Sequence, residues 1–517
     1  MAAAVNWWGR ALNGVTRRVK LPRILRDVST LAGGGYVSNA LQLLRGLVLA
    51  RLLGPSGLGA VALVGMVLAY SQFADLGIAQ AVGREIPISL GHERRGEALV
   101  WRWYGIAAKL LAGAVVGLGL VVYVLGRWNG LSADVRFGLL TAAVVVSLQG
   151  VITAQQVTFQ SYQKFTRAAA LTVVLAASNL AAAFVLAPIW GVKGVFAGQV
   201  AAFSVTLALG CLLGGWAKHA RFDARRLRHL LIVGLPLVAL FFMDVNLVAI
   251  DQLMVVTLLD TTALGVYTLV LYTGTALYLL PGAMASSVSP RLLKRYGQSP
   301  TMESISLFTW VPVDATAAVM PVLCVAAAIV VPAVIVRFLP AFSGAIVPVR
   351  VYCVGSAFLG MNLAVNATLL ALNKHRYNIP ILLGSIVLNV LLDIVFVPVL
   401  HLGLIGIALG SSLSYFTYYM AHTSLVRHYY GQSVPLALVS NLVSAWPALA
   451  LAVATCVSWR NGTLGLSSLH YELWLLGLFG IIAAARWKWP VGRPSTTLRG
   501  DVDGQESERP GRRDGQG

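Results

Sequence analysis

Charged residues are scarce in this sequence: they make up 11% of its 517 residues, while hydrophobic residues make up 58%. Soluble globular proteins usually contain about a quarter charged residues. A mean hydropathy of +0.77 therefore excludes an ordinary soluble domain. Because a backbone inside lipid must satisfy its own hydrogen bonds, the composition predicts an all-α integral membrane protein.

Motifs for catalysis and metal binding are missing as well. The sequence has no Walker A pattern and no HExxH motif, and its four cysteines lie inside apolar segments without a CxxC pair. The loops are too short for the catalytic loop that a membrane glycosyltransferase normally carries. We therefore expect a protein that is not an enzyme and that holds no metal or cofactor, with a coupling ion, Na⁺ or H⁺, left open.

The distribution of the basic residues is typical of a membrane protein rather than of a nucleic-acid-binding protein. A net charge of +20 would suggest nucleic-acid binding in a soluble protein, but here most basic residues lie in short gaps between apolar runs. Thirty of the 39 Lys and Arg residues fall on one side of the predicted membrane, six on the other and three within helices. This bias predicts an inner (plasma) membrane protein with cytoplasmic N- and C-termini and no nucleic-acid partner.

Fourteen apolar segments each have about the 20 residues that a spanning helix needs. They lie at about 28–53, 57–82, 103–126, 136–159, 168–188, 192–216, 230–259, 262–289, 304–332, 343–372, 378–399, 402–425, 436–458 and 470–486. The sequence therefore predicts 14 transmembrane helices, preceded by a basic segment that lacks the pattern of a signal peptide.

A module of six helices occurs twice. Gly54-Pro55 predicts a hairpin between the first and second segments. Leu52-Leu53 and Leu58-Gly59, on either side of it, are matched by Leu258-Leu259 and Leu264-Gly265. An even number of helices inserts both copies the same way up. We therefore predict two parallel six-helix repeats around a central cavity, plus two C-terminal helices, with the repeats related by an axis along the membrane normal.

A second match extends the repeat and sets the predicted domain boundaries. Asn179 precedes Pro188 by the same spacing as Asn389 precedes Pro398, and a glycine series follows each proline. The predicted domains are a basic cytoplasmic segment at 1–27, six-helix lobes at 28–229 and 230–430, helices 13 and 14 at 431–487, and a disordered cytoplasmic tail at 488–517.

Four stretches carry a resemblance to a known family: Ala50 to Pro55, Gly57 to Gly59, Phe73 to Ile78, and Gly403 to Ala408. The chain resembles the polysaccharide, or O-antigen-type, flippases of the MOP superfamily, which also contains lipid II flippases and MATE exporters. The resemblance covers about residues 28–487. It implies a transporter that flips a polyprenyl-diphosphate-linked oligosaccharide from the cytoplasmic to the outer leaflet by alternating access, for cell-surface polysaccharide assembly.

The partners implied are the lipid-linked oligosaccharide, the membrane, and a polysaccharide polymerase or glycosyltransferases. Two other functions stay open. A MATE-like, ion-coupled exporter of small molecules would have an apolar and acidic cavity rather than a cationic one. A non-transporting scaffold for cell-wall synthesis would keep the helices without needing cations that face a cavity.

Basic residues inside helices are the candidates for binding a diphosphate, because guanidinium and ammonium groups pair with phosphate. Arg45 lies well inside helix 1 and Arg350 inside helix 10, and we predict that the two share one diphosphate. Arg51 lies at the outer end of helix 1, where membrane anchoring is an equal alternative. Lys109 lies just inside helix 3, where it can bind substrate or snorkel to the cytoplasmic interface.

Acidic residues inside helices are candidates for ion coupling or charge pairing. Asp244 and Asp251 lie seven positions apart on helix 7 and therefore on one stripe. They can bind Na⁺ or carry protons, or they can neutralise the helix arginines. Asp314 follows Pro312 in helix 9, and Asp75 lies near the cytoplasmic end of helix 2.

Overall fold

The computed structural model describes residues 21–217, 222–363, 365–372 and 374–460, and no strand occurs among them. The helices are α1 (Leu21–Ser71), α2 (Ile78–Gly91), α3 (Arg95–Gly126), α4 (Ala133–Ser161), α5 (Phe165–Leu212), α6 (Ala224–Leu258), α7 (Thr261–Gln298), α8 (Met302–Phe338), α9 (Ile346–Leu363), α10 (Asn366–Ala371), α11 (Asn378–Ile394), α12 (Gly403–Tyr429) and α13 (Val434–Arg460). Ten helical stretches in the described ranges are long and apolar enough to cross a membrane. The all-α membrane fold is thereby confirmed.

Two of the long helices contain a break that divides each into two spans. Gly54 in α1 and Gly191 in α5 both have non-helical backbone angles, with φ of 66° and 58°. A positive φ costs a glycine no steric clash, and Pro55 suits the start of the helix that follows. The predicted hairpin after Leu53 is therefore present, and α5 holds the predicted helices 5 and 6.

Helix 14, the lead-in up to residue 20 and the C-terminal tail lie outside the described residues, so the total of 14 helices stays a prediction. A π-helical turn, Val395–Val399, extends α11 toward the outer side. Large apolar side chains such as Leu118 of α3 and Leu391 of α11 are exposed where the helices face lipid.

The two halves meet through equivalent residues. A Cβ atom on Gly59 would lie 1.9 Å from the carbonyl oxygen of Thr261, and one on Gly265 would lie 1.8 Å from that of Pro55. Only glycine allows backbones to approach this closely. Contact between equivalent positions is what a two-fold axis between two like halves requires, so it supports the predicted parallel relation of the lobes.

A second glycine pair joins the lobes at the cytoplasmic side. A Cβ atom on Gly77, in the turn before α2, would lie 2.2 Å from the carbonyl oxygen of Gly234 in α6, and the reverse distance is 2.3 Å. The lobes are therefore in backbone contact both here and at the outer Gly59–Gly265 pair. Any opening toward either side of the membrane has to separate one of these contacts.

Candidate functional site

Arg45 lies at the junction between the lobes. It projects from α1 beside Tyr272 of α7, with which it interacts electrostatically, and the neighbouring Gly46 touches the Tyr272 ring. The Nε atom of Arg45 is buried and has no hydrogen-bond partner among the described residues. A buried donor without a partner is costly, so this guanidinium is suited to an acceptor that the protein itself does not supply.

Arg350 occupies a different place. It is 6% exposed in α9, and its Nε atom donates a hydrogen bond of 3.3 Å to the backbone oxygen of Ala328 in α8. Arg45 thus lies between α1 and α7, whereas Arg350 lies between α8 and α9. Arg51 is exposed at the outer end of the first span, near the break at Gly54. Sharing of one diphosphate by Arg45 and Arg350 stays a prediction.

Lys109 is buried and binds groups of the protein itself, and its two predicted roles, substrate binding and snorkelling, stay predictions. Its Nζ atom lies 3.1 Å from Oδ1 of Asp75 and donates to the backbone oxygen of Gln72 at 2.7 Å. Asp75 also accepts a hydrogen bond from the backbone N–H of Ala79 and so caps α2. Both side chains are buried, and their ion pair links α3 to the turn before α2.

Asp251 is completely buried and is bound by neutral groups from three other helices. Its Oδ2 accepts hydrogen bonds from the hydroxyls of Ser411 (2.6 Å) and Tyr267 (3.0 Å). Its Oδ1 accepts one from the amide of Asn389 (3.2 Å). No arginine pairs with Asp251 in the described part of the chain, so the alternative of a pair with Arg45 does not form in this structure.

Asp393 is the residue that sequence reasoning undervalued. It lies one turn beyond Asn389 on α11, is 0% exposed, and interacts electrostatically with Asp251. Neither of its carboxylate oxygens has a hydrogen-bond partner among the described residues, and the Oδ1 of Asn389 has none either. The Asn-x-x-x-Asp spacing on one helix was the signal in the sequence that could have identified it.

The two remaining acidic candidates lie elsewhere in the C-terminal lobe. Asp244 is exposed on α6 and interacts electrostatically with Tyr418 of α12. Asp314 of α8 lies near Arg427, with which it also interacts. The sequence analysis counts Arg427 among the basic residues on the cytoplasmic side of the predicted membrane. In the structure it is 1% exposed, and its guanidinium carbon lies 4.3 Å from the centre of the Trp310 ring. It fastens α12 to α8 and α13.

A cavity of about 460 Å³ lies at the predicted cytoplasmic end of the N-terminal lobe, where α2, α3 and the start of α6 meet. Arg94 and Trp101 line it from the loop before α3 and from α3, and Arg225, Arg226 and His229 line it from α6. Glu85 and Glu97 also line it and lie 3.5 Å from His229 and 3.7 Å from Arg94, respectively. The guanidinium of Arg226 lies 5.8 Å from the Trp101 ring centre. Arginines beside an aromatic face suit a ligand that combines phosphate with a sugar ring.

A family model described as "Polysaccharide biosynthesis protein" matches residues 48–334, which include Asp251 and the residues that line the cavity but begin just after Arg45. The chain belongs to the polysaccharide biosynthesis protein family. No curated protein matches it in sequence. The predicted resemblance is therefore confirmed at the level of the family.

The fold of this polysaccharide biosynthesis protein is similar to several solved structures. The lipid II flippase MurJ in an inward closed conformation is 14% identical and has a TM-score of 0.61, covering 88% of this chain and 98% of MurJ. An outward-facing MATE multidrug resistance transporter is 16% identical, with a TM-score of 0.56 and coverage of 78% and 96%. A MOP superfamily transporter from Pyrococcus furiosus is 15% identical, with a TM-score of 0.52 and coverage of 78% and 95%. These likenesses establish the MOP transporter fold.

Proposed function

We propose that this protein flips a polyprenyl-diphosphate-linked oligosaccharide from the cytoplasmic to the outer leaflet of the plasma membrane, as a transporter rather than an enzyme. The polar head crosses between the two lobes while the polyprenyl chain stays in lipid. Alternating separation of the cytoplasmic and outer glycine contacts exposes the path to each side in turn. A polymerase or glycosyltransferases at the outer face consume the product, and both termini lie in the cytoplasm.

The observation that carries this proposal is the environment of Arg45. A cation with an unpartnered donor, held at the junction of two lobes inside lipid, is expensive unless it serves a ligand. A diphosphate supplies the matching acceptors, because a guanidinium can give paired N–H donors to phosphate oxygens. The family to which the chain belongs acts in polysaccharide biosynthesis, where a lipid diphosphate carrying sugars is the fitting anion.

The cytoplasmic cavity supports entry of such a head from the inner leaflet. Arg94, Arg225 and Arg226 offer cations to the diphosphate, and the Trp101 face offers a platform for a sugar. Because residues of α2, α3 and the start of α6 line the cavity, a bound head would lie beside the segment that connects the two lobes. A MATE-like exporter of cationic small molecules is disfavoured by the positive charge at Arg45.

Coupling to a cation is the second part of the proposal, and the site is the pair of Asp251 and Asp393. Two buried carboxylates without a positive partner repel each other unless a cation or a proton neutralises them. The unpartnered oxygens of Asp393 and Asn389, with the Ser411 hydroxyl, form an oxygen ligand set that suits a hard cation. We assign Na⁺, since one cation can bind all three unpartnered oxygens, whereas a proton on Asp393 can join only one of its oxygens to Asn389 and leaves the other without a partner.

Accumulation of the lipid-linked precursor in cells tests the proposed substrate. Cells depleted of the protein are complemented with wild type, Arg45→Lys or Arg45→Ala. Export should fall in that order, because lysine keeps the positive charge but lacks the paired N–H donors of the guanidinium, and alanine lacks both. Lys193→Ala, which removes an exposed cation at the outer break of α5, is the matched control and should export normally. Equal export by all four variants would refute the role of Arg45.

A further inference from the structure

The interior face of α11 is polar, whereas its lipid face is apolar. Its buried residues are Asn378, Leu382, Ser385, Asn389 and Asp393, and four of these five are polar. Their spacing of three to four residues places them on one side of the helix. Leu383, Val387 and Leu391 are exposed on the other side. Polar side chains buried inside a membrane protein commonly mark the path of an ion.

The face of α12 that packs against α11 is polar in the same way. Ser411, Ser414, Tyr418 and His422 follow each other at intervals of three or four residues, and all four are buried. The first of these binds Asp251. Tyr418 accepts a hydrogen bond of 3.1 Å from the amide of Asn378 at the cytoplasmic end of α11. The two stripes therefore run together from the acidic pair to the cytoplasmic side.

Several polar atoms along this seam have no partner among the described residues. They are the hydroxyl of Ser414, Oδ1 of Asn378, Nε2 of His422 and Nδ2 of Asn362. Asn362 comes from α9 and meets His422 at 2.9 Å through its oxygen. Each unsatisfied group is costly in a dry interior but has a partner when water or an ion occupies the seam.

The seam runs from the acidic pair toward the predicted cytoplasmic side. From Ser411 to His422 it follows α12 for about three turns, or roughly 16 Å, toward the cytoplasm. Asp244 of α6 adds a carboxylate beside Tyr418 on the same route. At the level of the acidic pair, Gly410 packs directly on Asp393, since a Cβ there would lie 2.2 Å from its Oδ1.

We propose that the α11–α12 seam is the cytoplasmic access lane of the coupling cation, through which hydrated Na⁺ exchanges with the Asp251–Asp393 site. The lane rests on the proposed coupling site. Ser414 lies directly on the cytoplasmic side of that site and controls passage, and Asn378 lies at the mouth. Asp244 attracts the cation into the lane.

Exchange of radioactive Na⁺ in oriented membrane vesicles tests the lane. Equilibrium Na⁺ binding to the purified protein is measured first, and release into excess unlabelled Na⁺ is then timed in inside-out and right-side-out vesicles. Ser414→Leu fills a close-packed seam, so release at the cytoplasmic face should slow roughly tenfold with little change in affinity. Ser414→Thr keeps the hydroxyl and should exchange at the wild-type rate.

Thr417→Leu is the control, because Thr417 lies on the exposed side of α12, away from the seam. Its hydroxyl donates to the backbone oxygen of Leu413 in the same helix. Asn378→Leu provides a second block at the mouth if Ser414→Leu fails to insert. Normal cytoplasmic release with either block in place would overturn the lane and leave the coupling site standing. Absence of Na⁺ binding to the wild-type protein would refute the coupling site, and the lane with it.

Discussion

The two lobes share a backbone plan but differ in the charge of their interiors. The register that matches Leu52 with Leu258 pairs Arg45 of the N-terminal lobe with Asp251 of the C-terminal lobe. The register that matches Asn179 with Asn389 pairs Ala183 with Asp393. The duplication therefore kept the glycine contacts that join the lobes and changed the side chains within them, so that one lobe suits an anion and the other a cation.

The paired asparagines show the same divergence in detail. The amide of Asn179 donates at 2.9 Å to the backbone oxygen of Leu175 in its own helix, as expected of a residue with a packing role. The amide of Asn389 instead donates to Asp251 of another helix. Identical residues at equivalent positions thus have different hydrogen-bond partners, because only Asn389 has carboxylates beside it.

Breaking the contact that the lobes share should have the largest effect. Gly265→Leu places a side chain on the backbone of Pro55 and should destabilise the protein by on the order of 3 kcal/mol, because overpacking against backbone cannot relax. Thermal unfolding in detergent measures this loss. Gly65→Leu is the control, since a Cβ at Gly65 meets nothing within 4 Å. Equal melting temperatures for the two variants would contradict the contact.

Removing the cation of the N-terminal lobe should have the next largest effect. Arg45→Ala should reduce export about tenfold, the cost of one charge-assisted contact. Because Asp251 is bound by neutral partners, adding Asp251→Asn should not restore export. Precursor accumulation in the two single variants and the double variant measures this. Rescue in the double variant would show that the arginine and the aspartate form a pair.

Comparing the two asparagines sharpens the difference between the lobes. Asn389→Ala should weaken Na⁺ binding about tenfold, because it removes one cation ligand and one hydrogen bond to Asp251. Asn179→Ala should leave Na⁺ affinity unchanged. Equilibrium binding of radioactive Na⁺ to the purified variants measures both. A similar loss in the two variants would indicate that the effect arises from packing in either lobe.

The smallest effect is expected from the tail. Deleting the residues after Pro490 should leave insertion and export intact, because that segment has too little apolar content to pack against the lobes. The amount of inserted protein and the precursor level measure this. Loss of export by a truncated protein that inserts normally would show that the tail itself has a function in export.

The sequence allowed the fold to be predicted well because membrane insertion leaves few alternatives. Apolar length, the basic residues of the loops and Gly54-Pro55 each report on local chain behaviour, and the repeat follows from matching residues. Contacts between distant helices could not be predicted in the same way. Lys109 pairs with Asp75, and Arg427 is buried against Trp310. Neither contact was predicted, because the rotation of each helix decides where a long side chain points.

The candidate site was predictable in part. Intramembrane charge singled out Arg45 and Asp251, and the structure gives each an environment that fits a ligand role. Asp393 needed the structure, because its importance depends on lying beside Asp251, which is far away in sequence. The polar stripe of Ser414 and Tyr418 was hidden for the same reason, since serine and tyrosine are common in packed membrane helices.

A flipping assay in proteoliposomes tests the central claim most directly. The purified protein is reconstituted with a synthetic polyprenyl-diphosphate oligosaccharide, and the fraction accessible to a sugar-modifying enzyme outside the vesicles is followed over time. We predict that wild-type protein moves the oligosaccharide across the bilayer, faster with a Na⁺ gradient, and that Arg45→Ala slows it about tenfold. Export of small organic cations without any movement of the lipid-linked oligosaccharide would contradict the account.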